Sequence, residues 1–244
     1  MVSVLKELTF LVFGRNCGTD FQRTIDTVQA VTKFYSEIKF QLVVVDDGST
    51  DSAQIVINRE KFFAVDEIVL PHSFGISGAI NAGLPHVKCE RMIWLPASNM
   101  YGVESICNLI DYSSGADLVI GFRSNLTKAR PTIKLISSLL VRGFMHIFTF
   151  HFISDFKGCN LYYTEDVKRW LNPDRKHGGD LVLMTQILLQ TERIIQVPTP
   201  INESHKNRPS KKLSDNWPSW KAIISAVRGI FASVRLYRSN SNKK

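Results

Sequence analysis

An α/β fold, a mostly parallel sheet flanked by helices, is predicted by three features of this 244-residue sequence. Short apolar runs alternate with amphipathic segments over residues 8–121, the β-α-β-α order that packs helices on both faces of a sheet. The run Phe40–Val45, apolar but for Gln41, does not alternate, as in a strand buried on both faces. Polar clusters follow the strands at Gly14–Gly18, Asp46–Asp51, Pro96–Asn99 and Arg123–Asn125. Parallel strands gather such ends at one edge, where ligands bind.

Taken in order, the first strand is Leu8–Phe13, closed by the turn cluster through Gly18. A helix over 20–38 follows, with Phe21, Ile25, Val28, Val31 and Phe34 on one face and Asp20 as N-cap. Phe40–Val45 is the second strand, Asp51–Arg59 a short helix and Ala64–Leu70 the third strand. Gly75–Ala82 opens a helix, Arg91–Leu95 is a strand, Val103–Tyr112 a helix and Asp117–Gly121 a strand. Leu135–Ile153 is apolar over nearly the length of a membrane span, but Arg142, His146 and His151 interrupt it. A charge at mid-span costs about 2.5–3.5 kcal/mol, so this stretch is read as a packed or interfacial helix.

Composition narrows the function classes. At 44% hydrophobic and 21% charged residues, the chain is neither disordered nor a multi-span membrane protein. The net charge of +8 is carried entirely by residues 203–244, which hold ten Lys/Arg against Glu203 and Asp215. The division is therefore an α/β domain over 1–202 and a basic segment with a helix over 203–244. From Trp217 onward, Trp220, Ile223, Ile224, Val227, Ile230, Phe231, Val234 and Tyr237 form an apolar face, with Lys221, Arg228 and Arg235 on another. Such a helix either packs on the domain or lies in an anionic membrane surface. Its aromatics sit on the apolar face rather than on a stacking platform, so nucleic acid is not an expected partner. Cys17, Cys89, Cys107 and Cys159 are dispersed, which fits reduced thiols in the cytoplasm. No signal peptide is expected from residues 1–7.

Two motifs carry chemistry. Asp46-Asp47 directly after a buried strand places two carboxylates at a sheet edge, where they need donors or a cation. A carboxylate there can accept hydrogen bonds from a base N–H and a ribose hydroxyl. Gly75-Ile-Ser-Gly-Ala-Ile-Asn81-Ala-Gly83 opens a helix with small residues that allow close backbone approach.

VVVDDGSTD at 43–51, GISGAINAG at 75–83 and IWLPASN at 93–99 resemble the nucleotide-sugar domain of family 2 glycosyltransferases of GT-A fold, a Rossmann-like α/β architecture. ADLVIGFR at 116–123, SDFKGCNLYY at 154–163 and QVPTPINESHKNRPSKKLS at 196–214 are similar to blocks of dolichyl-phosphate mannosyltransferase and bacterial polyprenyl-phosphate glycosyltransferases. The resemblance spans 7–214. It implies that Asn16 and its loop contact the nucleoside. Asp46 would hold base or ribose, with Asp47 beside it, and Gly75 and Asn81 would line the donor site. Ser98 and Asn99 would face the diphosphate. Arg123 would sit near the phosphates, and Asp155 would serve the acceptor. Lys206, Arg208 and Lys212 would close over the pyrophosphate, where cationic contacts suit phosphate.

Two departures stand out. The family's Asp-x-Asp after the fourth strand, which carries Mg²⁺ or Mn²⁺, is Pro96-Ala97-Ser98-Asn99 here, so no metal ligand is assigned. Lys157-Gly158-Cys159-Asn160 stands where relatives have Ser-Gly-Phe-Arg. Three readings follow: a metal-free enzyme with a cationic clamp, a metal displaced toward Asp47 or Asp155, or binding without catalysis. The first gives an inverting glycosyltransferase acting from a nucleoside-diphosphate sugar on a lipid-phosphate or glycan acceptor, such as a polyprenyl phosphate, peripherally at the inner membrane face. The last gives an inactive nucleotide-sugar-binding or scaffold protein of a glycan assembly complex.

Overall fold

A computed structural model of the chain describes residues 4–51, 55–125, 142–155, 158–171 and 179–202, with Ile224, Arg228, Gly229, Phe231, Val234 and Arg235 beyond them. Within it runs a seven-stranded sheet of order β3-β2-β1-β4-β6-β5-β7. Its strands are β1 (Glu7–Gly14), β2 (Lys39–Asp46), β3 (Ala64–Val69), β4 (Arg91–Pro96), β5 (Leu118–Phe122), β6 (Asn160–Tyr163) and β7 (Ile194–Pro198). The helices are α1 (Thr19–Val31), α2 (Gly75–Gly83), α3 (Val103–Asp111), α4 (142–149), α5 (Thr164–Trp170) and α6 (Gly179–Leu188).

β1 pairs in parallel with β2 and β4, β2 with β3, and β5 with β7, while β6 runs antiparallel between β4 and β5. All strands but β6 therefore point the same way, and the ends of β1, β2, β4, β5 and β7 share one edge. Strand alternation sends residues to two cores. Phe10, Phe40, Leu42 and Ile93 pack with Phe21, Ile25 and Val28 of α1 and Leu109 of α3. Leu11, Val43, Val45 and Met92 pack with Ile80 of α2 and Leu183 and Met184 of α6. Both faces are covered, which is why Leu42–Val45 reads as an unbroken apolar run.

The structure corrects four expectations. The helix after β1 stops at Val31, and one 3₁₀ turn, Thr32–Phe34, completes it. Its N-cap is Gly18, not Asp20, which lies in the first turn. Residues 55–58 are not helical, and Arg59–Lys61 is a 3₁₀ turn. Gln22 and Gln29 instead bond the backbone there, at Val56 and Asn58, and hold it extended along α1. The described part of the apolar stretch is helical only over 142–149, because Phe150 enters the left-handed region at φ 58°. Ile153 N then donates to His146 Nε2 at 2.9 Å, folding the chain back on α4. Among the described residues no helix is long and apolar enough to cross a membrane.

The expected C-terminal basic helix lies mostly outside the described residues. Of those described, Val234 is buried in the second core, and the Phe231 ring meets Phe148 of α4 edge-on at 4.9 Å.

Candidate functional site

The shared strand edge is assembled from the β1 and β2 turns. Asn16 adopts φ 50°, a conformation Asn tolerates better than most residues. Its side-chain Oδ1 accepts from Thr50 N at 2.7 Å and Asp51 N at 3.3 Å, and its own N–H donates to Ser49 Oγ at 2.9 Å. Asp51 Oδ2 accepts from Gly18 N at 2.9 Å. Asn16 thus clamps one turn to the other, and its carbonyl oxygen is spent on that clamp.

The two adjacent carboxylates have separate environments. Asp47 is buried, and its oxygens accept from Ser73 Oγ at 2.6 Å, Phe74 N at 2.7 Å and Gly75 N at 3.1 Å. It fixes the entrance to α2, with Gly75 at φ 74°. Asp46 is half-buried, and its Oδ1 accepts from Ser49 N at 2.9 Å. Among the described residues its Oδ2 has no hydrogen-bond partner, so it is a carboxylate oxygen available to a ligand here, as is Oδ1 of the exposed Asp51. Gly48 lets these pieces meet. It has φ 69°, and a Cβ there would lie 2.6 Å from the His72 carbonyl carbon. Asn81 is exposed on α2.

At the end of β4, Ala97 N donates to Phe13 O at 2.7 Å. Asn99, at φ 51°, takes a hydrogen bond from Asn202 Nδ2 on its carbonyl at 2.9 Å and on Oδ1 at 3.2 Å. Its N–H reaches Thr24 Oγ1 at 3.0 Å. Ser98 is half-buried beside it. Divalent ions such as Mg²⁺ or Mn²⁺ need carboxylates here or close by. This turn offers none, Asp47 is fully engaged, and no group of three or more His, Cys, Asp or Glu converges among the described residues. Among the described residues, the turn after β4 does not by itself fit a divalent metal.

Arg123 and Asp155 are brought together at the end of β5. Arg123 Nε lies 2.5 Å from Asp155 Oδ2 and Nη2 lies 2.9 Å from Oδ1, with the side chains 9% and 17% exposed. Burial works against the guanidinium charge, but hydrogen bonding and charge from Asp155 outweigh it and raise the Arg123 pKa above its ordinary value. Beneath the pair, β5 and the chain entering β6 touch backbone to backbone. Gly121 N donates to Cys159 O at 2.9 Å, and a Cβ on Gly158 would overlap the Gly121 carbonyl. Glycine at both positions is what the contact requires.

Sequence reasoning passed over Ser73 and Asn202, which lock the α2 and β4 turns. Asn202 follows β7 just as the noted clusters follow the other strands, so the same rule would have found it. Lys206, Arg208 and Lys212 lie outside the described residues.

The family model for glycosyl transferase family 2 matches residues 12–156. An uncharacterised glycosyltransferase of Nostoc sp. (strain PCC 7120) is 28% identical over 115 residues, covering 46% of this chain and 34% of its own. The chain thus matches about a third of the length of that curated relative. Glucosyl-3-phosphoglycerate synthase from Mycobacterium tuberculosis, in complex with UDP, superposes with TM-score 0.56 at 14% identity, over 95% of this chain and 80% of that one. TarS 1–349 from S. aureus, in complex with UDP-GlcNAc, gives TM-score 0.58 at 14% identity, over 93% and 66%. Another crystal structure of TarS 1–349 is covered over only 58% of its chain.

Proposed function

Because this chain belongs to glycosyl transferase family 2, we propose that it transfers a sugar, with inversion, from a nucleoside-diphosphate sugar to a lipid-borne phosphate at a membrane face. The observation that carries the donor half is Asp46, whose unpartnered Oδ2 stands at the end of β2 beside the Asn16 clamp. An ionised carboxylate accepts from a base N–H or a ribose hydroxyl there. The neighbouring structures bound to UDP and UDP-GlcNAc support a nucleotide-sugar donor.

In the transfer, an acceptor oxygen attacks the anomeric carbon. The bond from that carbon to the diphosphate oxygen breaks, and the nucleoside diphosphate leaves with the bonding pair. Holding both reactants in line supplies much of the rate. A hydroxyl acceptor must also lose a proton, and Asp155 would have to take it. Both oxygens of Asp155 already accept hydrogen bonds from Arg123, which commits the carboxylate to that pair rather than to an acceptor hydroxyl. A phosphate acceptor arrives anionic and needs no base. The ion pair therefore favours a phosphate acceptor, and the resemblance of 116–123 and 154–163 makes polyprenyl phosphate the class proposed. With no carboxylates after β4, charge on the departing diphosphate falls to side chains, with Lys206, Arg208 and Lys212 the proposed clamp.

The test is transfer of label from UDP- and GDP-sugars into the organic phase of a polyprenyl phosphate assay. Wild type is expected to transfer and Asp46→Ala to lose most of its donor affinity. Nucleotide binding without product in any arm would favour the second reading, a nucleotide-sugar-binding scaffold. That reading draws on the same lack of carboxylates at Pro96–Asn99.

A further inference from the structure

We propose that α4 and the turn after it form a docking surface for membranes rich in anionic phospholipid. This deepens the membrane-face reading above and takes its biological sense from it, but it stands on separate residues. Phe150 is 87% exposed, Phe152 83% and Ile147 65%, and Phe144 adds a partly exposed ring on the same short segment. Exposed apolar residues scattered singly are ordinary, whereas a contiguous group marks an interaction surface.

The exposure is built in. Phe150 holds a positive φ of 58°, a conformation that bulky side chains rarely adopt. The backbone around it is tied down on every side. Phe150 N bonds His146 O at 2.9 Å, Gln196 Nε2 bonds Phe152 O at 2.7 Å, and Ser154 N bonds Gln196 Oε1 at 2.8 Å. Arg142 Nη1 reaches Ser154 O at 3.1 Å. Two phenyl rings are thus held in water by an anchored turn.

Charge selects the occupant. Residues 142–154 contain Arg142 and no acid, and residues 216–244 contain no acid either. Phe231 packs on Phe148, so the exposed Arg228 and Arg235 belong to an element seated against α4. Rings that enter the headgroup boundary, flanked by arginines that meet lipid phosphates, match an anionic bilayer interface. A second copy of this chain would set the same cations against each other. Asp155 follows Phe152 by three residues, so docking here sets the β5 edge of the site at the bilayer.

The experiment is co-sedimentation of the full chain with phosphatidylcholine vesicles, with and without phosphatidylserine. Wild type is expected to bind the phosphatidylserine vesicles and to release as salt is raised. Phe150→Asn combined with Phe152→Ser is expected to bind at least about tenfold more weakly, since two rings lose their burial. Phe34→Ser, at an exposed ring elsewhere, is expected to bind like wild type. Unchanged UDP binding in all three would show that the fold is intact. Failure of wild type to sediment, or equal sedimentation of the double variant, would overturn the proposal. So would a wild-type dimer that the double variant turns into a monomer, which would make a second copy the occupant. Loss of UDP binding by wild type with vesicle binding kept would overturn the donor reading and leave this surface standing.

Discussion

Arg123 grips Asp155 at two points, Nε to Oδ2 at 2.5 Å and Nη2 to Oδ1 at 2.9 Å, at the only junction where β5 and the segment entering β6 meet glycine to glycine among the described residues. Removing one partner of a largely buried pair leaves the other charge uncompensated. Arg123→Met is expected to lose about 3 kcal/mol of stability. Arg123→Lys, which keeps the charge but not the planar fork, should lose less. Urea unfolding of the three proteins checks the order.

The Asn16 clamp predicts a coupled loss. Asn16→Ala removes the acceptor of the Thr50 and Asp51 N–H groups. The expected cost is about 1 kcal/mol of stability, with several-fold weaker nucleotide binding because the β1 and β2 turns part. Calorimetric titration with UDP and GDP, beside a urea curve, measures both.

Gly48 and Gly18 make a matched pair. Both have positive φ, but a Cβ on Gly48 would strike the His72 backbone, whereas one on Gly18 meets nothing within 4 Å. Gly18→Ala is expected to cost about 1–2 kcal/mol from backbone strain alone. Gly48→Ala should cost clearly more and also displace the α2 entrance that Asp47 holds. Thermal unfolding midpoints distinguish the two.

Thiol reactivity should report the site. Burial pushes the Cys159 and Cys89 thiols up, and Cys17 is half-exposed on the β1 turn. The thiolate is the reactive form. Alkylation of the native protein is expected at Cys17 and not at Cys89 or Cys159, and bound nucleotide should slow it. Peptide mass mapping with and without UDP is the check.

Asp117 gives a pH signature. Hydrogen bonding from the Arg193 guanidinium holds its carboxyl below the usual carboxylate range. A depressed folded-state pKa contributes stability above the unfolded value, and this is lost as pH falls through the folded one. Asp117→Asn should therefore be slightly less stable than wild type at neutral pH, by a small margin for so exposed a pair. The gap should close well below about pH 4. Urea midpoints across that range test the sign.

Much of the fold was legible because β1, β2, β4 and β5 are apolar runs cut by polar turns. Phe40–Val45 could hardly be anything but a central strand. β6 was not legible, because Asn160–Tyr163 is short and its place between β4 and β5 is set by a distant chain return. The helix expected over Asp51–Arg59 fails at 55–58 because Gln22 and Gln29 hold that stretch extended, a tertiary effect that no local propensity contains. At the site, motif order placed Asp46, Asp47 and Asn16 at one edge. It did not separate their jobs, since that depends on which oxygens Ser49, Ser73 and Thr50 occupy. Nor did it show that Arg123 and Asp155 spend their charges on each other.

The central claim is sugar transfer from a nucleotide donor by a site with no carboxylates for a metal after β4. The most direct measurement is donor turnover by the full chain with polyprenyl phosphate, run in parallel in Mn²⁺ and in EDTA. The account predicts equal transfer in both. Transfer that needs Mn²⁺, with none in EDTA, would contradict it.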